Sequence, residues 1–151
     1  MADHTSRPVL GISMGDPNGL GPEVILKCFR DSRMMDQCVP LVFGSALAFE
    51  HYMSLYKWNT YKYKVIEGVN EIDRTCLNII DVCPDFNEMS IGSSNKSGGM
   101  ASWRSLDAAV KTLLANTIDA LVTGPINKHN IQSADFTFPG HTEFLAQQAG
   151  Q

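Results

Sequence analysis

The sequence predicts an α/β protein built on a largely parallel sheet. Short apolar runs alternate along the chain with segments of helical pattern, and the runs are apolar on both faces, as is typical of parallel strands covered by helices on each side. The 151 residues, 44% hydrophobic and 19% charged, are enough for one globular domain with a core of its own. We find no internal repeat.

Five runs are predicted to form the strands. They span residues 8–13, 40–44, 61–66, 77–82 and 118–123. Each is short, rich in Val, Ile, Leu, Phe or Tyr, and bounded by polar or turn-forming residues, which is the pattern of a buried strand.

Helices are predicted between the strands. Pro22 is placed as a first helical residue, and Ser45 as the N-cap of a helix running to about Lys57. Residues 101–115 carry apolar side chains at helical spacing, and a further helix is expected over 142–148. The segment 85–99 is polar and rich in Gly and Ser, so we predict a loop there.

The composition argues against several classes of protein. The formal net charge is -4 and no basic cluster occurs, which disfavours a general nucleic-acid binder. No stretch approaches the roughly 20 apolar residues that a membrane helix needs. Residues 1–7 lack the apolar core of a signal peptide. We therefore expect a flexible N-terminus and a soluble, cytoplasmic protein.

The cysteines and histidines do not predict a metal site made wholly by this chain. The four cysteines form no Cys-x-x-Cys pair, and we expect buried free thiols. The histidines lack the spacing of a helical metal site. His4 falls in the N-terminal tail, His51 on a helix, where it is expected at the surface or in packing, and His129 beside Lys128, where its role stays open.

The first segment that could carry chemistry is Met14-Gly15-Asp16-Pro17-Asn18-Gly19-Leu20-Gly21-Pro22-Glu23, between a predicted strand and a helix. Its glycines allow close approach of a ligand, and a helix N-terminus favours an anion. Asp16 sits at the carboxyl end of the strand, where open α/β sheets bind ligands. The motif is neither Gly-x-Gly-x-x-Gly nor a Walker A loop. A plain turn in which Asp16 caps the helix is the structural alternative.

Two later segments are also candidates. In Thr123-Gly124-Pro125-Ile126-Asn127-Lys128, the lysine could contact a phosphate or could simply be solvated in a turn. In Phe138-Pro139-Gly140-His141-Thr142-Glu143-Phe144, Thr142 is a candidate N-cap. His141 could donate to an oxyanion or transfer a proton, the alternative being a surface histidine beside a cap.

Together these segments, with the Ser97-Gly98-Gly99 loop, resemble the 4-hydroxythreonine-4-phosphate dehydrogenase family of vitamin B6 biosynthesis. The resemblance implies oxidation of 4-phosphooxy-L-threonine by NAD or NADP to 2-amino-3-oxo-4-phosphooxybutanoate. That product decarboxylates to 3-amino-2-oxopropyl phosphate, on the route to pyridoxal 5'-phosphate. It also implies a homodimer with a fold similar to isocitrate and isopropylmalate dehydrogenases.

Carried over by position, the resemblance implies that His141 and Thr142 bind the substrate and that Asp16 and Lys128 line the cleft. The family's divalent metal ion, which would be zinc, magnesium or cobalt, is expected to have its ligands beyond residue 151, as are most cofactor contacts. Residues 8–151 would then be the N-terminal α/β portion of a two-domain dehydrogenase, truncated before the metal-binding half.

Three alternatives remain open at this point. A paralogue acting on 4-phospho-D-threonate or 4-phospho-D-erythronate would share these motifs and the reaction type. Another β-decarboxylating dehydrogenase would carry a similar Gly-Asp-Gly-x-Gly-Pro-Glu loop, which Pro17-Asn18 and the His-Thr-Glu-Phe segment fit poorly. A non-catalytic binding module or inactive fragment is the alternative from another class.

Overall fold

The computed structural model describes residues 7–132 and 136–150 and contains a five-stranded sheet in which every pairing is parallel. The strands are β1 (Val9–Ser13), β2 (Val39–Gly44), β3 (Tyr63–Ile66), β4 (Leu77–Asp81) and β5 (Ala120–Thr123). Their order across the sheet is β3-β4-β2-β1-β5. The predicted fold class and all five predicted strands are confirmed.

The described part of the chain also contains six helices and one short 3-10 turn, Val69–Glu71. The helices are α1 (Gly21–Phe29), α2 (Ser32–Gln37), α3 (Ala46–Leu55), α4 (Lys96–Leu114), α5 (Lys128–Ile131) and α6 (His141–Gln148). Within residues 7–132 and 136–150, none of them is both long and apolar enough to cross a bilayer.

The two faces of the sheet are covered by different helices. Ile12 and Val42 pack in one buried cluster with Leu26 of α1 and Phe49 of α3. On the other face, Leu41 and Phe43 pack in a cluster with Ala109 of α4. Successive strand side chains point to opposite faces, so a strand buried on both sides must be apolar throughout. This explains why β2 is buried along its whole length.

Helix α4 begins earlier than predicted. Its first residue is Lys96, whereas the sequence pattern predicted a loop through residue 99. Asn95 caps the helix, since its side-chain oxygen accepts a hydrogen bond from the Gly98 amide at 2.7 Å. The prediction was wrong because Gly98 and Gly99, poor helix formers in general, lie inside the first turn of a capped helix.

The N-cap predicted for α3 is confirmed. The Ser45 hydroxyl accepts a hydrogen bond from the Ala48 amide at 3.4 Å. The helix ends at Leu55, two residues before the predicted end. Lys57 lies beyond it with a φ of 56°, a left-handed conformation that continues no right-handed helix.

All four cysteines are free, and three of them are buried. The prediction of a buried thiol was wrong for Cys28, which lies exposed on the outer side of α1. Burial raises the pKa of the Cys38 and Cys76 thiols, and it raises the pKa of Cys83 to about 12. These three thiols therefore pack as small apolar groups.

Arg7, the first described residue, is tied to the body of the fold. Its guanidinium donates hydrogen bonds to the carbonyl oxygens of Met35 and Arg74, the latter at 2.8 Å. Arg74 donates back to the Arg7 carbonyl at 2.5 Å. The rest of the N-terminal segment predicted to be flexible, including His4, lies outside the described residues.

Candidate ligand site at the carboxyl edge of the sheet

Two neighbouring strands, β1 and β5, end at the same edge of the sheet, and their chains then turn to opposite faces. After β1 the chain enters α1, which packs on one face. After β5 it enters α5, which packs against α4 of the other face. Open α/β sheets bind ligands in the crevice that opens where neighbouring strands lead to opposite sides. The first two candidate segments of the sequence flank this crevice.

Backbone contacts join the two loops at this edge. The Asp16 amide donates to the Pro125 carbonyl at 3.0 Å, and the Gly124 amide donates to the Ser13 carbonyl at 2.9 Å. Gly15 has a φ of +78°, and a Cβ atom there would overlap the Pro125 carbonyl oxygen. Only glycine meets both conditions, so this glycine closes the loops on each other.

Asp16 is buried beneath the crevice, with 6% of its surface exposed. Its Oδ1 accepts a hydrogen bond from the Asn18 amide at 2.9 Å, and its Oδ2 accepts one from Asn130 Nδ2 at 3.3 Å. The alternative in which Asp16 caps α1 is wrong, because Leu20 is the N-cap residue and no side chain caps that helix. Both carboxylate oxygens thus accept hydrogen bonds that hold the β1 loop together and link it to α5.

Asn18 ties a third loop to the same edge. It is 2% exposed, and its Oδ1 accepts a hydrogen bond from the Ser90 amide at 2.7 Å. Its carbonyl accepts one from the Gly92 amide at 2.8 Å. The segment before α4 is therefore fixed against the β1 loop.

Lys128 begins a helical turn rather than lying in an open turn. Asn127 caps α5 by accepting hydrogen bonds from the amides of His129 and Asn130, at 3.1 and 3.2 Å. Lys128 is exposed. Its Cε lies 3.8 Å from the position that a Cβ on Gly140 would occupy. The fold thus brings the side chain of Lys128 to the turn that precedes α6.

His141 is the first residue of α6. The helix has Gly140 as its N-cap, without a side-chain hydrogen bond, so the prediction that Thr142 is the N-cap was wrong. Thr142 instead lies exposed in the first turn. His141 is half-buried, its Nε2 is buried without a hydrogen-bond partner among the described residues, and burial lowers its pKa. Burial therefore favours the neutral imidazole at the start of α6.

An aromatic cluster anchors α6. The Phe144 ring lies 5.1 Å from Trp103, 5.9 Å from Phe136 and 5.4 Å from Phe138, centroid to centroid. Tilted and edge-on rings at these separations attract one another in addition to burying apolar area. Because Trp103 belongs to α4, the cluster fixes the start of α6, and with it His141, relative to the sheet.

The described residues do not make a metal centre by themselves. Within 7–132 and 136–150, no three His, Cys, Asp or Glu side chains converge as ligands for a metal ion. His51 lies exposed on α3, and His129 is exposed on α5. We therefore assign no metal-dependent step to these residues.

A large cavity in the described part of the chain lies away from this edge. It has a volume of about 950 Å³ and is lined in part by Arg7, Trp58, Arg74 and Leu77. Arg7 precedes β1 and Leu77 begins β4, so the cavity is at the amino ends of the strands. We place the candidate site at the opposite edge, because ligands of open α/β sheets bind at the carboxyl ends and the predicted site residues gather there.

Asn130 is the member of this site that sequence reasoning missed. It links Asp16, after β1, to the helix that carries Lys128. The available signal was local: asparagines recur at the polar turns, at positions 18, 95, 127 and 130, and asparagine commonly bonds neighbouring backbone in turns and caps. Nothing in the sequence paired Asn130 with Asp16, 114 residues away.

The fold and the crevice at its carboxyl edge define a parallel α/β protein of the dehydrogenase type. The crystal structure of a 4-hydroxythreonine-4-phosphate dehydrogenase from Burkholderia phymatum matches with a TM-score of 0.84 and 32% identity. The match covers 95% of this chain and 44% of that one. Residues 36–151 match the family described as pyridoxal phosphate biosynthetic protein PdxA, and the chain belongs to that family.

Two relatives show the breadth of the family. A 4-hydroxythreonine-4-phosphate dehydrogenase from Bacteroides thetaiotaomicron is 33% identical over 141 residues, covering 93% of this chain and 38% of that protein. A Clostridium botulinum protein assigned by inference as a D-threonate 4-phosphate dehydrogenase is 31% identical over 148 residues. That match covers 93% of this chain and 43% of the relative. The chain thus spans about two fifths of the length of these relatives.

Proposed function

We propose that this chain forms part of an enzyme that oxidises 4-phosphooxy-L-threonine with NAD or NADP. Family membership and the 4-hydroxythreonine-4-phosphate dehydrogenases among the similar proteins support the reaction class. One observation supports a role of this chain in binding the substrate. Lys128 lies beside the Gly140 turn that leads into His141, at the carboxyl edge of the sheet. The chain then supplies part of the substrate site.

The chemistry of this corner suits a phosphorylated substrate. Lys128 carries a positive charge, and the first turn of α6 presents amide groups that lack helical partners. Both attract an anion, and they act against the Glu143 carboxylate, which lies in the same first turn. Gly140 brings no side chain that would cap these amides. The half-buried His141 and the exposed Thr142 then provide hydrogen bonds that orient the substrate.

In the proposed reaction, the carbon bearing the hydroxyl group gives a hydride to the nicotinamide ring, and the hydroxyl gives up its proton. The resulting β-keto acid, 2-amino-3-oxo-4-phosphooxybutanoate, loses carbon dioxide to leave 3-amino-2-oxopropyl phosphate. The residues of this chain bind and orient the substrate. We place the divalent metal ligands and most cofactor contacts in the part of the relatives' length that this chain does not span, and we expect a cytoplasmic homodimer.

A second candidate substrate is 4-phospho-D-threonate, or the related 4-phospho-D-erythronate. The relative from Clostridium botulinum favours it, because its assigned name is D-threonate 4-phosphate dehydrogenase. These acids carry the same phosphate and an oxidisable hydroxyl group, so contacts to phosphate at Lys128 and α6 serve all three. The amino group is what distinguishes the first substrate.

The test uses the protein encoded by the complete reading frame. Each phosphorylated acid is assayed with NAD and with NADP by the appearance of the reduced nicotinamide. The proposal expects a kcat/KM for 4-phosphooxy-L-threonine at least about ten-fold above that for the other acids, a difference of about 1.4 kcal/mol in transition-state stabilisation. A reversed preference supports the second candidate. Absence of turnover with all of them overturns the proposal.

The substrate role of His141 is tested in the same enzyme. We expect His141→Ala to raise KM about ten-fold or more, the effect of losing one hydrogen bond to an ionic substrate, and to leave the melting temperature near that of the wild type. His51→Ala is the matched control, since His51 is exposed on α3. Unchanged KM and kcat in His141→Ala would refute the role.

A further inference from the structure

Asp16 is too deeply engaged in the fold to meet a ligand directly. Oδ1 is bonded to the Asn18 amide and Oδ2 to Asn130 Nδ2. It also faces the first turn of α4, where Oδ1 lies 3.1 Å from the position of a Cβ on Gly98. The carboxylate therefore stands between the β1 loop and the starts of two helices.

Asn130 connects this carboxylate to Lys128. Its side-chain Nδ2 donates to Asp16, and its Oδ1 accepts a hydrogen bond from the Ser94 hydroxyl at 3.0 Å. The backbone of Asn130 is also fixed, since a Cβ on Gly99 would overlap its carbonyl oxygen. Asn130 belongs to the single helical turn that begins with Lys128. Holding Asn130 therefore holds the backbone from which Lys128 extends.

We propose that Asp16 is a positioning residue that acts through Asn130 to hold Lys128 beside the Gly140 turn. This role deepens the proposed function and rests on Lys128 and α6 receiving the phosphate of the substrate. A positioning role needs hydrogen-bond acceptors and donors of the right shape at position 16. It does not need the negative charge, which a direct contact to a cation or a proton transfer would need.

The conservative variant Asp16→Asn separates these two roles. Its amide oxygen still accepts from the Asn18 amide, and its NH2 group points at Asn130. The side-chain amide of Asn130 can then rotate by about 180°, so that its oxygen accepts the hydrogen bond from the new side chain at position 16. Its NH2 group then faces the Ser94 hydroxyl, which can accept a hydrogen bond instead of donating one. In the full-length enzyme we expect Asp16→Asn to keep KM within about three-fold of wild type, and Asp16→Ala to raise KM about ten-fold with a smaller change in kcat.

A paired substitution tests whether the effect runs through Asn130. Asn130→Asp sets two carboxylates against each other, and we expect KM to rise about ten-fold. Adding Asp16→Asn restores a donor opposite the new carboxylate, so the double variant should return to within about three-fold of wild type. The proposal would be overturned if Asp16→Asn raised KM as much as Asp16→Ala does. It would also be overturned if the double variant had a KM no lower than that of Asn130→Asp.

A readout that needs no turnover keeps this test separate from that of the proposed function. Acetylation of Lys128 by an activated ester, followed by mass spectrometry, reports the surroundings of its amine. Asp16→Ala and Asn130→Asp should change the acetylation rate of Lys128 about three-fold or more relative to exposed Lys111, while Asp16→Asn should not. If the enzyme turns over none of the phosphorylated acids but the rates follow this pattern, the proposed function fails and the positioning role stands. Unchanged rates in all variants would overturn the positioning role.

Discussion

The hydroxyl of Ser105 accepts a hydrogen bond from the Met14 amide at 2.6 Å. It also donates to the Phe43 carbonyl at 2.5 Å, and the Met14 amide donates to that same carbonyl at 3.1 Å. Ser105 is 0% exposed. One side chain of α4 thus closes the ends of β1 and β2 at the point where the loop carrying Asp16 begins.

Ser105→Ala should destabilise the protein by about 1–3 kcal/mol, because it leaves buried polar backbone groups with fewer partners. Ser102 is the matched control: it lies one turn earlier in α4, is 2% exposed, and its hydroxyl has no partner among the described residues. Ser102→Ala should change stability by less than about 0.5 kcal/mol or raise it. Urea unfolding of both variants measures this, and equal losses would contradict the assigned bonds.

Gly99→Ala should also destabilise the folded protein, although alanine is usually favoured over glycine in helices. Replacing glycine by alanine within a helix ordinarily stabilises by about 1 kcal/mol. Here the added methyl group would overlap the Asn130 carbonyl oxygen, and forcing α5 away should cost about 1–3 kcal/mol. Ser97→Ala, at an exposed site in the same turn, is the control. Thermal unfolding that ranks Gly99→Ala above wild type would show that α4 and α5 are not packed this closely.

The lowered pKa of His141 predicts a loss of stability in mild acid. Burial holds its folded-state pKa below the usual 6.5, so between the two values the unfolded chain binds more protons than the folded protein. Stability must therefore fall as the pH drops through the unfolded pKa toward the folded one. Between about pH 7.5 and pH 5.5, wild type should lose more unfolding free energy than His141→Gln. Parallel curves for wild type and His141→Gln would contradict this.

One thiol should react quickly with a thiol-specific reagent at about pH 8. Cys28 is exposed, whereas burial covers the other three and raises their pKa values. Cys28→Ser should remove the fast phase, and denaturant should release three further thiols. A fast phase that persists in Cys28→Ser would show that one of the buried cysteines is accessible.

Local signals in the sequence predicted the elements well. Runs of apolar residues located all five strands, and Ser45 correctly marked the start of α3. The errors concern where α4 and α6 begin. Gly98 and Gly99 looked like loop residues, but they lie in the first turn of α4, where bulkier residues would collide with Asn18 or Asn130. Thr142 looked like a cap, yet the helix begins one residue earlier.

The motifs around Gly15, Lys128 and His141 were enough to place the chain in its family by resemblance. The same resemblance named Asp16, Lys128, His141 and Thr142 as candidate site residues. Only the tertiary structure decided how these residues relate. It buried Asp16 against Asn130, brought Lys128 to the Gly140 turn and left a nitrogen of His141 without a hydrogen-bond partner among the described residues. These relations depend on the packing of α4, α5 and α6 at one edge of the sheet, and pairings between residues up to 114 positions apart leave no periodic pattern in a single sequence.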